Sequence, residues 1–544
     1  MRRLRWSLGV AVFSAAIIAS LGSVRAADLR VVSVAESDPV AAPAMSTVVV
    51  PESSPARSPS CFPVNRIEID GAVGDLSFVT GSLDSYRGQC VGVKAIDRME
   101  QRLTAELLEH GYVTTRVRIP QQNLGSGTLR FEMTPGVIHA IAFDRPVHDT
   151  TWRNAFPTRP GRLLNLRDLE QGLEQMKRVP SQDVQMQIAP AKIAGQSDID
   201  LSLREVKPWK VTFDVNDGGS TATGALQGSA TVEYDDLAHA NDILTVGLNR
   251  NVQGGVAGGT RGNSVDYSVP VGYWTAGVNF SNFTFSQTIA GLTAPFTLSG
   301  KQHQGAVRLE KMLRRTQRVK TSVVVSVTQK SSNSFVDGTE IDVERRNSSY
   351  GQVLLKDEIN TGSATFAGSI GFRAGLPILG ALPDITGIVN PPTSYYTMET
   401  VDISGVVPLT DGPLKIRWEP HVNGQFTGEH LYIDDAFSIG NRYTVRGFDG
   451  STALAGDSGY FWRNDLVFPT GSPQRSVYVG FDTGRVWGPT AGSLSNSSLN
   501  GVVFGMRGGT ARGSFDVFAG FEISAPAGFR TAFPATGVDF TYKI

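Results

Sequence analysis

Two periodicities divide this chain. From Lys210 to Ile544 the apolar residues fall on alternate positions. Trp274, Ala276, Val278 and Phe280 alternate with Thr275, Gly277, Asn279 and Ser281. Val323, Val325 and Val327 repeat the pattern, as do Phe515, Val517, Ala519, Phe521 and Ile523. Side chains in a strand change face at every residue, so each segment has one apolar and one polar face. Glycine, Asn and Asp separate the segments, whose length is near the ~9–11 residues of a transmembrane strand. A sheet that is apolar outside, polar inside and closed on itself satisfies every backbone group within a bilayer. The alternation therefore predicts a transmembrane β-barrel over residues 207–544.

Upstream the period lengthens. Asn65–Asp70 alternates as a strand, and Ile96, Met99, Leu103, Leu107 and Leu108 recur at helical spacing up to the stop at Gly111. Val113–Ile119 and Thr128–Thr134 read as two further strands. Ile138 to Val206 repeats the arrangement. Asn165 is placed to cap a helix with Leu166, Leu169 and Leu173 on one face, Lys177 to Ser181 end it, and Asp198–Leu203 reads as a closing strand. Two small α+β domains, 61–137 and 138–206, are expected before the barrel.

The first 60 residues are of another kind. Arg2, Arg3 and Arg5 precede an apolar stretch, Leu8 to Leu21, too short for a membrane span. With Val24-Arg25-Ala26 behind it, 1–26 reads as a secretory signal peptide. Residues 27–60, rich in Ala, Val, Ser and Pro, read as a linker. Cys61 and Cys90 are the only cysteines, and in an exported chain they are expected to be bridged. With 50 basic and 51 acidic residues and no dense basic run, the chain is not a nucleic-acid binder.

Candidate chemistry is sparse. The triplets Asp457-Ser458-Gly459 and Asp482-Thr483-Gly484 imitate the halves of an aspartic protease, but such sites take one carboxylate from each of two lobes. The triplets lie too close in sequence for that, and none of the seven histidines stands in a motif that would make a base for Ser458. No Walker-type loop, metal cluster or cofactor motif is present, so an enzyme is not expected. Asp434-Asp435 reads as a solvated loop. One pair stands out. Alternation sets Val477, Val479 and Phe481 on one face and Tyr478, Gly480 and Asp482 on the other, so Asp482 points into the barrel. A carboxylate there calls for a cation, and Arg446 in Tyr443-Thr444-Val445-Arg446-Gly447-Phe448 is the candidate, with Gly447 permitting a tight turn.

These stretches resemble the paired signature of the two-partner-secretion transporters, of the haemolysin and filamentous-haemagglutinin type, within the outer-membrane insertase superfamily. In that family the arginine of a VRG(Y/F) loop folds back onto the aspartate of an F-x-D-x-G strand. Here the residues are Val445, Arg446, Gly447 and Phe448, with Phe481, Asp482 and Gly484. The upstream domains resemble the family's periplasmic POTRA domains, through Cys61-Phe62-Pro63-Val64, Tyr86-Arg87-Gly88-Gln89-Cys90, Gly111 to Val117 and Asn165 to Leu173. The chain's last alternating run, Val538, Phe540, Tyr542 and Ile544, departs from the family's usual aromatic terminus.

The resemblance implies α+β periplasmic POTRA domains followed by an all-β barrel of 16 antiparallel strands, with an inward-folded loop near 440–460. It implies an outer-membrane transporter, its POTRA domains in the periplasm, that recognises and secretes an exoprotein carrying an N-terminal two-partner-secretion domain. Outer-membrane lipids surround the barrel, and the barrel-assembly machinery inserts it. Strand and helix edges of the POTRA domains are the expected cargo contacts: Val113, Thr114, Thr115 and Arg116 in the first, and Asn165, Leu166, Arg167, Leu169 and Leu173 in the second. The family also carries an N-terminal plug helix, for which only the Val-rich Asp28–Ser37 is available. The alternative is an insertase for other barrels; two POTRA domains, rather than more, favour secretion.

Overall fold

A computed structural model describes residues 61–544, apart from short segments at 72–73, 221, 254–257, 290–294, 411, 413–414 and 493–496. The expected signal peptide, linker and plug segment lie outside the described residues.

The first domain packs helix Val93–Glu109 against a three-stranded sheet. Strand Thr128–Thr134 is central, parallel to Arg66–Asp70 and antiparallel to Arg116–Arg118. Ile96, Met99, Leu103 and Leu107 meet Leu129, Phe131 and Met133 in its core. Leu108, expected on that face, is exposed, because 100° per residue carries it past the contact. Cys61 and Cys90 are bridged, with Cα atoms 5.3 Å apart. The bridge ties Cys61, just before strand Phe62–Val64, to Cys90 in the middle of the paired strand Gln89–Val91, opposite Pro63.

The second domain repeats the plan: Gln196–Glu205 runs parallel to Val137–Phe143 and antiparallel to Gln182–Pro190, under helix Leu166–Lys177. The Asn165 side chain accepts from Arg167 N at 2.8 Å, which satisfies a free donor of the first turn.

The strand expected at Val113–Ile119 is a correction. Only Arg116–Arg118 is extended. Gly111 has φ +91°, and Thr115 N donates back to Tyr112 O, so Val113 and Thr114 form a turn. The buried Thr115 hydroxyl accepts from Gly136 N at 3.1 Å, and Val113 packs on the core of the second domain. This segment is consumed in joining the two domains.

Sixteen strands then close into an antiparallel barrel, with a two-residue strand, Thr339–Glu340, added to the outer end of Val319–Val336. One register row shows the logic. Leu309, Val325, Val353 and Phe372 stand side by side on four strands and are all exposed. The next row, Arg308, Ser326, Gln352 and Arg373, faces the lumen and is polar. Several strands exceed the expected length; Phe296–Arg315 has 20 residues and Val319–Val336 has 18. At ~3.4 Å per residue and a tilt near 45° such strands reach beyond the hydrocarbon layer.

Candidate functional site

Between strands Arg417–Thr427 and Ser458–Thr470 the chain turns back into the barrel. A short ribbon, Phe437–Ile439 with Leu454–Gly456, carries the loop, and Val445 to Phe448 forms its inner tip. Ile439, Val445, Phe448 and Leu454 pack with Val486 and Leu499 of the wall in an apolar cluster. Phe448 also meets Phe529 edge to face, with centroids 5.4 Å apart.

Arg446 is buried among carboxylates. Its Nε donates to Asp482 Oδ2 at 2.7 Å and Nη2 to Asp482 Oδ1 at 2.8 Å. Its backbone N–H donates to Asp482 Oδ2 as well, at 2.9 Å. Asp465 is a second partner, accepting from Nη2 at 2.5 Å and Nη1 at 3.3 Å. The Tyr478 ring lies 5.7 Å from the guanidinium carbon. Sequence reading missed Asp465, whose phase shows only once the register of two strands is known. Strand Ser458–Thr470 pairs Arg463 with Asp482 and Asp465 with Gly480, so Asp465 has the same inward phase as Asp482. Phe481, in the opposite phase, faces outward and is exposed.

The tip sits in a trough of glycines. Gly447 has φ +115°, and a Cβ there would fall 2.8 Å from Phe521 O. A Cβ on Gly501 would strike Arg446 O, and one on Gly520 would come 2.5 Å from Gly447 N. A Cβ on Gly480 would stand 2.8 Å from Arg446 Nη2, and one on Gly484 2.9 Å from Val445. Absent side chains on three neighbouring strands let backbone meet backbone.

The loop's outer parts are also fixed. Asp457 is buried and accepts from Leu431 N at 2.6 Å, Thr490 N at 2.8 Å and Thr490 Oγ1 at 2.9 Å. The Asp434-Asp435 reading is corrected in part: Asp434 is exposed, accepting from Ser332 at 2.8 Å, but Asp435 is buried at its side chain and pairs with Lys330 Nζ at 3.0 Å. Strand Val319–Val336 extends far enough outward to meet them.

The candidates at Asn165 to Leu173 occupy a different surface from the one expected. Leu169 and Leu173 face the domain's own core, whereas Leu166 is outside it and Arg167 pairs with Glu170. The opposite face of this helix docks on the barrel's periplasmic turns. Gln171 and Gln175 both donate to Gly272 O, at 3.2 and 3.1 Å. Tyr273 donates to Asp168 at 2.5 Å, Glu174 pairs with Arg315 and Lys320, and Arg178 donates to Asn241 O at 2.8 Å. Burial pushes the Asp168 carboxyl up, against the Tyr273 hydrogen bond. Burial acts the same way on Glu174, but Arg315 and Lys320 outweigh it and hold that carboxyl below its usual range.

Known proteins share this architecture. The haemolysin secretion/activation protein ShlB/FhaC/HecB family matches residues 195–508. A ShlB-type POTRA domain matches 62–136 and a further POTRA domain matches 137–190. The outer membrane transporter CdiB-2 of Burkholderia pseudomallei is 38% identical, over 86% of this chain and 80% of the relative. The hemolysin transporter protein ShlB of Serratia marcescens is 25% identical, over 81% and 80%. The solved CdiB of Acinetobacter baumannii superposes with a TM-score of 0.81 at 26% identity, covering 90% of this chain and 91% of that one. With a POTRA pair, a closed sixteen-strand barrel and an arginine-bearing loop docked on its inner wall, this chain belongs to the haemolysin secretion/activation family.

Proposed function

We propose that this chain is the outer-membrane member of a two-partner secretion pair, taking an unfolded exoprotein from its POTRA domains through its barrel. The observation that carries the reading is the union of periplasmic domains bonded to the rim with a lumen whose loop is held by ion pairs rather than covalently. The cargo carries an N-terminal secretion domain. It is captured by strand addition at the first domain's edge strand Arg116–Arg118, which has a partner on one side only among the described residues. Of the candidates there, Arg116 is the exposed one; Val113, Thr114 and Thr115 shape the turn behind it. Asn165, Leu166, Arg167, Leu169 and Leu173 act by building the helix that seats the second domain on the barrel. Lipids solvate rows such as Leu309 to Phe372, and the barrel-assembly machinery acts only during insertion.

The transporter performs no catalysis. Asp482 is committed to Arg446 and Asp457 to three donors, so neither is available to share a proton. Nucleic acid has no role.

Deleting the gene while leaving the gene of the partner exoprotein intact tests this. The exoprotein should accumulate in the periplasm and be degraded, while other outer-membrane barrels keep normal levels. General loss of barrels would instead identify an insertase.

A further inference from the structure

The barrel closes between its first strand, Trp209–Asn216, and its last, Ala535–Lys543. That seam is short. It runs from Val211 with Ile544, through Thr212 with Lys543, up to Asn216 with Asp539. The last strand's other ladder continues further, to Ala535 with Gly520. Above Asn216 the seam is finished by a side chain. Asp217 N donates to Val538 O at 3.2 Å, and Val538 N donates to the Asp217 carboxylate at 2.8 Å. A carboxylate thus stands where a strand would offer a carbonyl.

Arg442, in the docked loop, completes this arrangement. Its guanidinium ion-pairs with Asp217 and donates to Val538 O at 3.1 Å. It also lies 5.6 Å from the ring centroid of Phe518 on the adjoining strand. The Arg442 side chain is 12% exposed. A stiff turn joins it to Arg446: Gly440 N and Asn441 N both donate to Thr444 Oγ1, at 3.0 and 3.2 Å, and Thr444 N donates to Asn441 O. The two arginines therefore shift together.

We propose that Arg442 and Asp217 form a latch that ties closure of the seam to docking of the loop. Arg446 grips strands Ser458–Thr470 and Ser472–Trp487, while Arg442 grips both ends of the sheet. When the loop leaves its trough, the seam loses its clasp, and the edge at 535–538 opens to another extended strand. The inference rests on the transporter reading for its purpose but not for its test.

The test is hydrogen exchange on the full chain in lipid nanodiscs without cargo. Arg442→Ala should speed exchange of the Asp217 and Val538 amides about ten-fold, with the ladder on the far wall unchanged. Arg446→Ala, which touches neither amide, should do the same. Asp217→Asn, which keeps an oxygen for Val538 N but loses the charge that holds Arg442, should speed exchange as Arg442→Ala does. If Arg442→Ala does not fold, judged by heat-modified gel mobility, Arg442→Lys should give an intermediate rate, because it keeps the charge with fewer aligned donors. Unchanged exchange in Arg442→Ala or Arg442→Lys overturns the latch. So does a protected seam in Arg446→Ala or in Asp217→Asn. A secretion defect with an intact exchange pattern would count against the latch and leave the transporter reading untouched.

Discussion

Arg446 has two carboxylate partners, and they should differ in weight. Asp482 is fully buried, accepts from Nε and Nη2, and also satisfies the Arg446 backbone N–H. Asp465 is 11% exposed at its side chain and bonds the guanidinium alone. Breaking a buried ion pair costs about 3–5 kcal/mol, against ~0–1 kcal/mol for an exposed one. Asp482→Asn should therefore fall near the buried value. Asp465→Asn keeps the two-point contact with Asp482 and an amide oxygen to accept, so about 1–2 kcal/mol is expected. A loss of 3 kcal/mol moves the docking equilibrium roughly a hundred-fold, which releases the loop without opening a closed barrel. Loop cleavage by added protease on intact cells, read beside secretion, measures both. The expected order is Arg446→Ala close to Asp482→Asn, both well above Asp465→Asn, with the Arg446→Ala/Asp482→Asn double variant no worse than either single. Gel mobility should remain heat-modifiable throughout. Additive losses, or Asp465→Asn as damaging as Asp482→Asn, would refute the hierarchy.

Further outcomes follow from the same geometry. Gly501→Ala should release the loop as fully as Arg446→Ala, because its Cβ strikes Arg446 O, whereas Gly305→Ala, with open space around it, should be silent in the same protease assay. Replacing Cys61 and Cys90 by Ser should destabilise the first POTRA domain by about 3–4 kcal/mol, seen as lowered resistance to periplasmic proteolysis at unchanged barrel level. Glu174 has a folded pKa below its unfolded 4.5, so its share of the domain-to-rim bond is present above that value and fades as pH falls through the lower one. It is partly exposed, so the share is about 1 kcal/mol or less. A spin-label distance between helix and rim should broaden on acidification in the native chain, and Glu174→Gln should broaden it at neutral pH and flatten the response. Asp457→Ala should free the outer loop ribbon, raising cleavage between 428 and 440 with smaller effect at the tip.

The barrel was legible because alternation is a local property of strands, and Asp482 could be phased by counting from Val477. Its pairing with Arg446 could be anticipated because one buried charge demands another. Asp465 required knowledge of register between two strands, which no single segment carries. The glycine trough is hidden for a related reason: Gly480, Gly501 and Gly520 come from three strands and gain meaning only side by side. Helix Leu166–Lys177 shows the limit on the other side. Its apolar stripe was readable, but Gln171 and Gln175 look like solvated positions until Gly272 arrives from a hundred residues away. Val113 to Thr115 have β-branched residues suited to a strand, yet Gly111 and the need to join two cores bend them into a turn.

The seam has a consequence for the order in which the molecule comes into being. Its bonds join residues very distant along the chain: Asp217 meets Val538 across 321 positions and Arg442 across 225. Adjacent hairpins close short loops and form early, while contacts of such separation wait until the intervening chain is arranged. The loop cannot find both its anchors until the final strand has met the first. Before the seam closes the loop has only its Arg446 anchor, and only a completed barrel holds it at both. Resistance of residues 440–450 to protease during synthesis is thus a clock for the last event in the barrel's assembly.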